Sequence, residues 1–123
     1  MKRVRPSTCN VETILANLTR SLERVMPTVI KRLDWHFYYK FGGPFVYCFL
    51  SDPARATREL LEYYGGGSAK DNDAVKQILF ITVSHIFFGN NKLCYEAFHA
   101  LINEDWVAFK VLMEDQLKRV CRT

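Results

Sequence analysis

The chain has 123 residues, 49% of them hydrophobic and 24% charged, the balance of a single globular domain and not of a disordered tail or a collagen-like chain. A core of useful size fits within this length, so folding needs neither a metal nor a disulfide. The net charge of +4 comes from residues 1–64, with ten Lys/Arg against six Asp/Glu, whereas residues 69–123 carry seven of each.

The helix signals run in chain order. Val11, Ile14, Leu15, Leu18, Leu22 and Val25 recur at steps of three and four, which predicts an amphipathic helix over 11–25. Asn10 or Thr8 is placed to cap it. Pro27 stops it and suits the first turn of the next helix, about 28–41. That second helix carries Val29, Ile30, Leu33, Phe37 and Phe41 on one side and ends at Gly42-Gly43-Pro44.

Residues 45–50 read as a strand or a short buried helix; with no second strand to pair, a short helix is expected. Ser51-Asp52-Pro53 starts a helix over 53–64. Gly65-Gly66-Gly67-Ser68 reads equally as a native glycine loop or as an engineered linker replacing a loop. Asp71-Asn72-Asp73 then opens a fifth helix, 73–88, that is apolar on nearly every side from Ile78 to Phe88. Gly89 ends it. A sixth helix, 91–102, puts Leu93, Cys94, Ala97, Phe98 and Leu101 on one face. A seventh, 104–121, is expected with Asn103 as its cap and Trp106, Val107, Phe109, Val111, Leu112, Leu117 and Val120 along it. The expected fold is therefore all-α: one domain over 1–123, a bundle of about seven helices in which a hydrophobic central helix, 73–88, is wrapped by amphipathic ones.

Catalytic signals are sparse. The chain has no GxSxG, HExxH, P-loop or GxGxxG pattern, so neither an enzyme nor a cofactor is expected. His85 lies in the apolar helix and reads as a hydrogen-bonded core histidine. His36 and Asp34 stand two apart and do not face each other on a helix. Cys94 and His99 stand five apart, a poor spacing for a shared metal or a nucleophile pair. Cys9, Cys48, Cys94 and Cys121 form no CxxC pair and read as reduced thiols, with no metal bound. The sequon Asn17-Leu18-Thr19 falls in mid-helix and is discounted. No apolar run reaches the ~18–20 residues of a membrane span. The cations at residues 1–5 form a short arm rather than a stripe along one face, so nucleic acid is not the expected partner. A cytoplasmic protein is expected.

Residues Ala74 to Val120 carry a resemblance. Val75, Ile78, Leu79, Ile81, Thr82, Val83 and Ile86 are followed by the Gly89-Asn90-Asn91 break, Tyr95-Glu96-Ala97-Phe98-His99-Ala100-Leu101, then Trp106, Phe109, Leu112 and Gln116-Leu117. With Leu60-Leu61-Glu62-Tyr63-Tyr64 before it, this pattern resembles the Bcl family of apoptosis regulators, most of all the divergent members carried by poxviruses. It covers about half the chain directly and the rest by helix count. The Asn-Trp-Gly-Arg signature of cellular members is absent; Asn72-Asp73-Ala74-Val75-Lys76 stands there, with Lys76 in place of the arginine that pairs with the partner's aspartate. Lysine lacks the bidentate fork, so the exchange is not neutral.

The resemblance implies a groove that takes an amphipathic helix of a pro-apoptotic or signalling protein, lined by Leu33, Phe37, Phe41, Phe45, Phe49, Val75, Lys76 and Leu79. It also implies apoptosis inhibition, with a site at the mitochondrial outer membrane if a C-terminal anchor has been removed. A second reading keeps the fold and inhibits innate immune (NF-kappa-B) signalling through adaptor binding or homodimerisation. A basic nucleic-acid-binding bundle is the third. The segment Trp35-His36-Phe37-Tyr38-Tyr39-Lys40-Phe41 holds five aromatics in seven residues. One helix face cannot bury them all, so three are expected to face outward and favour an interface.

Overall fold

A computed structural model describes the backbone of residues 11–122 and the side chains of residues 13–119. It holds seven helices: α1 (Val11–Val25), α2 (Pro27–Phe41), α3 (Phe45–Ser51), α4 (Pro53–Tyr63), α5 (Asp73–Ile86), α6 (Asn91–Ile102) and α7 (Trp106–Arg122). The all-α bundle is as expected. The basic arm, Cys9, the Thr8 or Asn10 cap, and the side chains of Val120 and Cys121 lie outside the described residues.

Local chemistry sets the helix ends. α1 and α2 almost abut: Met26 N–H donates to Leu22 O at 2.8 Å and Met26 O accepts from Ile30 N–H at 3.0 Å. Pro27, which has no N–H to lose, occupies the first helical position of α2. α3 buries Phe45, Val46 and Phe49, a helical spacing that resolves the strand-or-helix ambiguity. Pro44 cannot cap it with a side chain; Asp34 Oδ1, reaching over from α2, accepts from Phe45 N–H at 2.9 Å. Asp52 caps α4 through Arg55 N–H at 3.2 Å. Asn72 caps α5 through Val75 N–H at 3.1 Å, and Asn90 caps α6 through Leu93 N–H at 3.1 Å.

Two ends differ by two residues from the sequence reading, the others by at most one. α5 stops at Ile86, with Phe87 closing it by donating to Val83 O, so Phe88 stands in the following turn, 72% exposed. α7 starts at Trp106, not 104. Asp105 Oδ1 caps it through Ala108 N–H at 3.2 Å, while Asn103 belongs to the end of α6, donating from Nδ2 to His99 O at 2.9 Å. Asn103 and Asp105 are both residue types that cap helices, and the turn geometry selects the second.

The core runs through an aromatic chain. Phe37 meets Phe45 edge-on at 5.3 Å, Phe45 meets Phe49 at 5.8 Å, and Phe49 meets Phe109 of α7 at 5.7 Å. α5 packs against α1, α4 and α6 and buries Val75, Ile78, Leu79, Thr82, Val83 and Ile86. Its enclosure is broad but incomplete, because Phe80 remains 48% exposed beside Phe98 of α6, ring to ring at 5.2 Å. Gln116 ties α7 to the end of α5, its buried Nε2 donating to Ile86 O at 3.2 Å.

A candidate interaction surface on the second helix

α2 has two aromatic faces. Ile30, Leu33 and Phe37, at helical spacing, point into the core. Trp35, Tyr38 and Tyr39 point away and are 83%, 56% and 88% exposed, as the density of aromatics predicted. Tyr63 of α4 joins them, 41% exposed. Together with Arg32 and His36 these residues line an open cleft of about 790 Å³.

The wall between the cleft and the core is polar and fixed. Glu59 of α4 is buried, and its Oε2 lies 2.6 Å from His36 Nε2 and 3.6 Å from Lys40 Nζ. A carboxylate only accepts, so His36 donates from Nε2 and the imidazole is oriented. The His36 ring also packs on Tyr63 at 4.8 Å between centroids. A buried carboxylate needs such partners. Burial pushes the neighbouring Tyr64 hydroxyl above its ordinary pKa, with Tyr63 adding to the rise and Arg32 opposing it. The partner of His36 is thus Glu59, 23 residues away, a pairing that no local spacing announces. The Asp34 carboxylate, set aside beside His36 in the sequence, serves α3 instead.

The residues expected to line a helix-binding groove do not form one here. Leu33, Phe37, Phe45, Phe49, Val75 and Leu79 are each 0% exposed and belong to the core. They are apolar positions at helical spacing, and that same property drives them inside. Phe41 is half-buried beneath the Arg55 guanidinium, which sits 5.0 Å from its ring centroid. Lys76 is half-buried at the start of α5, with its ammonium 4.0 Å from the exposed Asp73 carboxylate.

Other candidates also find local partners. His85 Nδ1 lies 2.9 Å from Ile81 O, so the expected hydrogen bond is present, but the side chain is half-buried and not in the core. Cys94 Sγ approaches Ser84 Oγ at 3.9 Å, while the His99 ring packs edge-on to Tyr95 at 4.7 Å, so the two are engaged separately. Cys48 donates to Gly43 O at 3.5 Å, and burial, then the Asp34 charge, pushes its thiol pKa up. Among the described residues no three His, Cys, Asp or Glu gather to hold a metal, and no helix is long and apolar enough to cross a membrane.

No known family model matches the chain, and no curated protein or solved structure is significantly similar to it.

Proposed function

We propose that this chain is a helical protein-interaction module, of the virus-type Bcl-like kind its helix order resembles, and that it inhibits host innate immune signalling by docking a helix of an adaptor protein on the aromatic face of α2. One observation carries the reading: Trp35, Tyr38 and Tyr39 stand exposed together on an ordered helix whose opposite face is core. Tryptophan and tyrosine dominate the binding energy of protein interfaces, because a rigid ring buries much area at little entropic cost. Arg32 in the cleft lining favours a partner with an acidic residue beside its apolar anchors.

Sequestration of pro-apoptotic death-motif helices, the other Bcl-like activity, would use the groove between α2 and α5. It requires that helices part to expose Leu33, Phe37 and Leu79, all fully buried. The closed core therefore supports the surface reading over the groove reading.

Titration calorimetry with a panel of adaptor and death-motif helical peptides, at two salt concentrations, tests this. The comparison is between the native chain and the double variant Trp35→Ala/Tyr39→Ala, whose side chains lie outside the core. Saturable binding that the double variant loses by tenfold or more supports the α2 surface. Death-motif binding unaffected by the double variant overturns it in favour of the groove. Binding of no peptide, with a dimer in sedimentation that the double variant dissociates, transfers the surface to self-association and overturns the adaptor reading.

A further inference from the structure

A second cavity, of about 570 Å³, opens on another side of the bundle, between α1, the end of α3, the end of α5 and α7. Its volume falls in the range of about 300–1,000 Å³ usual for small-molecule sites. It shares no lining residue with the aromatic cleft. Its walls are apolar: Ile14, Leu18, Leu50, Ile86, Phe88 and Leu117.

Four polar side chains share the lining, Asn17, Ser21, Arg24 and His85; Arg24 is the permanent cation among them, and no Asp or Glu lines the cavity among the described residues. Arg24 is exposed in the last turn of α1, and no ion pair joins it to a carboxylate among the described residues. The bond to Ile81 O fixes the His85 tautomer: a carbonyl only accepts, so Nδ1 carries the hydrogen and Nε2 is left as the second polar atom of the ring. An apolar cavity with a guanidinium among its lining groups suits a ligand that is apolar along its length and anionic at one end.

We infer that this cavity binds a single-chain fatty carboxylate, its acyl chain among the walls and its carboxylate on Arg24. Burial of each methylene strengthens such binding about fourfold. The occupant is the free fatty acid; a phosphatidylglycerol membrane, with paired ester-linked chains and a phosphate anion, is the alternative that the test separates from it.

The experiment is calorimetric titration of the full chain with sodium dodecanoate, sodium decanoate and dodecyltrimethylammonium, all below their micelle concentrations. A parallel titration uses phosphatidylglycerol vesicles. One-to-one binding of dodecanoate is expected, with decanoate about fifteenfold weaker for two fewer methylenes. Arg24→Gln should weaken dodecanoate about tenfold and strengthen, not weaken, dodecyltrimethylammonium, whereas Arg58→Gln, on α4, should change neither. Both arginines are exposed, so each variant is expected to fold. Absence of saturable dodecanoate binding overturns the inference. So does equal affinity for the carboxylate and the ammonium, or an Arg24→Gln variant that binds like the native chain. Binding to vesicles without binding to free dodecanoate overturns the cavity and points to a membrane surface instead.

Discussion

The two faces of α2 contrast sharply. Both are aromatic, and they lie on the same fifteen residues. Phe37 is 0% exposed and touches Phe41 and Phe45, whereas Tyr39, two positions on, is 88% exposed. Aromatic content therefore says nothing about burial by itself; the helical period decides which ring is core and which is free to meet a partner. Tyrosine and tryptophan occupy the outer face and phenylalanine the inner one. A ring carrying a polar atom tolerates water, and a ring without one is driven out of it.

Truncation on either face should show the contrast most strongly. Phe37→Ala is expected to cost about 3–5 kcal/mol of stability, because it removes a fully buried ring and leaves a cavity that the helices cannot collapse around. Tyr39→Ala is expected to stay within about 0.5 kcal/mol. Urea unfolding of the two variants measures both. Equal losses would mean that the outer face is covered in solution by something, such as a second copy of the chain.

Asp34 sits where α2 hands over to α3, and it sharpens the comparison with a pH dependence. Its carboxylate caps Phe45 N–H, so Asp34→Ala should cost about 1–2 kcal/mol. Burial pushes its pKa above the ordinary carboxylate value; the hydrogen bond from Phe45 opposes that rise, and the Glu23 charge adds to it. A raised native pKa means that the folded state holds the proton more tightly. The associated stability is full below the ordinary value and is lost as pH rises through the native one. Asp34→Asn keeps the acceptor and removes the titration. The stability difference between the Asp34→Asn variant and the native protein should therefore grow in favour of the variant as pH climbs from the ordinary carboxylate range through the raised native pKa. A constant difference across that range would place the carboxylate in water.

One turn extends the contrast from side chains to backbone. Gly65, Gly66 and Gly67 all have positive φ, at 106°, 85° and 85°, and Asn72 Nδ2 holds the loop by donating to Tyr64 O and Gly66 O. A Cβ on Gly66 would meet nothing within 4 Å, so Gly66→Ala isolates the backbone cost, about 1 kcal/mol. Thermal unfolding reads it, and an unchanged midpoint would show the loop free to take other conformations. On α4, the Thr57 hydroxyl is buried without a hydrogen-bond partner. Thr57→Val keeps the shape and removes that desolvated group, and should raise stability by up to about 1 kcal/mol. A loss on denaturant unfolding would reveal a partner for the hydroxyl, such as a bound water.

Much of this is legible in the sequence, and what is not has a common cause. The helix spans follow from periodicity and caps, both local properties of the chain; Asp52-Pro53 and Asn72 announce their helices within three or four residues. The outward-facing Trp35, Tyr38 and Tyr39 are also legible, because seven residues of one helix cannot all face inward. The groove is not. Leu33, Phe37, Val75 and Leu79 carry the same spacing whether helices close on one another or hold a partner between them. The His36–Glu59 pair and the Asp34 cap on α3 depend on how α2 lies against its neighbours, which no single stretch of sequence encodes. The start of α7 lies two residues beyond the expected one because Asn103 and Asp105 are both suited to cap it.

The smallest expected effect lies in that last turn. Glu104 has φ of 57°, alone among the described non-glycine residues in the left-handed region. Its N–H donates to Leu101 O at 3.0 Å, and Asp105 N–H donates to Ala100 O at 2.8 Å, the paired bonds with which a helix ends in a Schellman turn. Such a turn favours glycine at its left-handed position, since any Cβ crowds the following carbonyl. Glu104→Gly relieves that crowding but frees the unfolded chain as well, so the two effects partly cancel. A net gain of about 0.5 kcal/mol is expected, read as a small rise in the urea midpoint with an unchanged slope. Gly66→Ala and Glu104→Gly should then move stability in opposite directions through the same backbone conformation. If both destabilise, the Glu104 side chain holds α6 and α7 together through a contact beyond the turn itself.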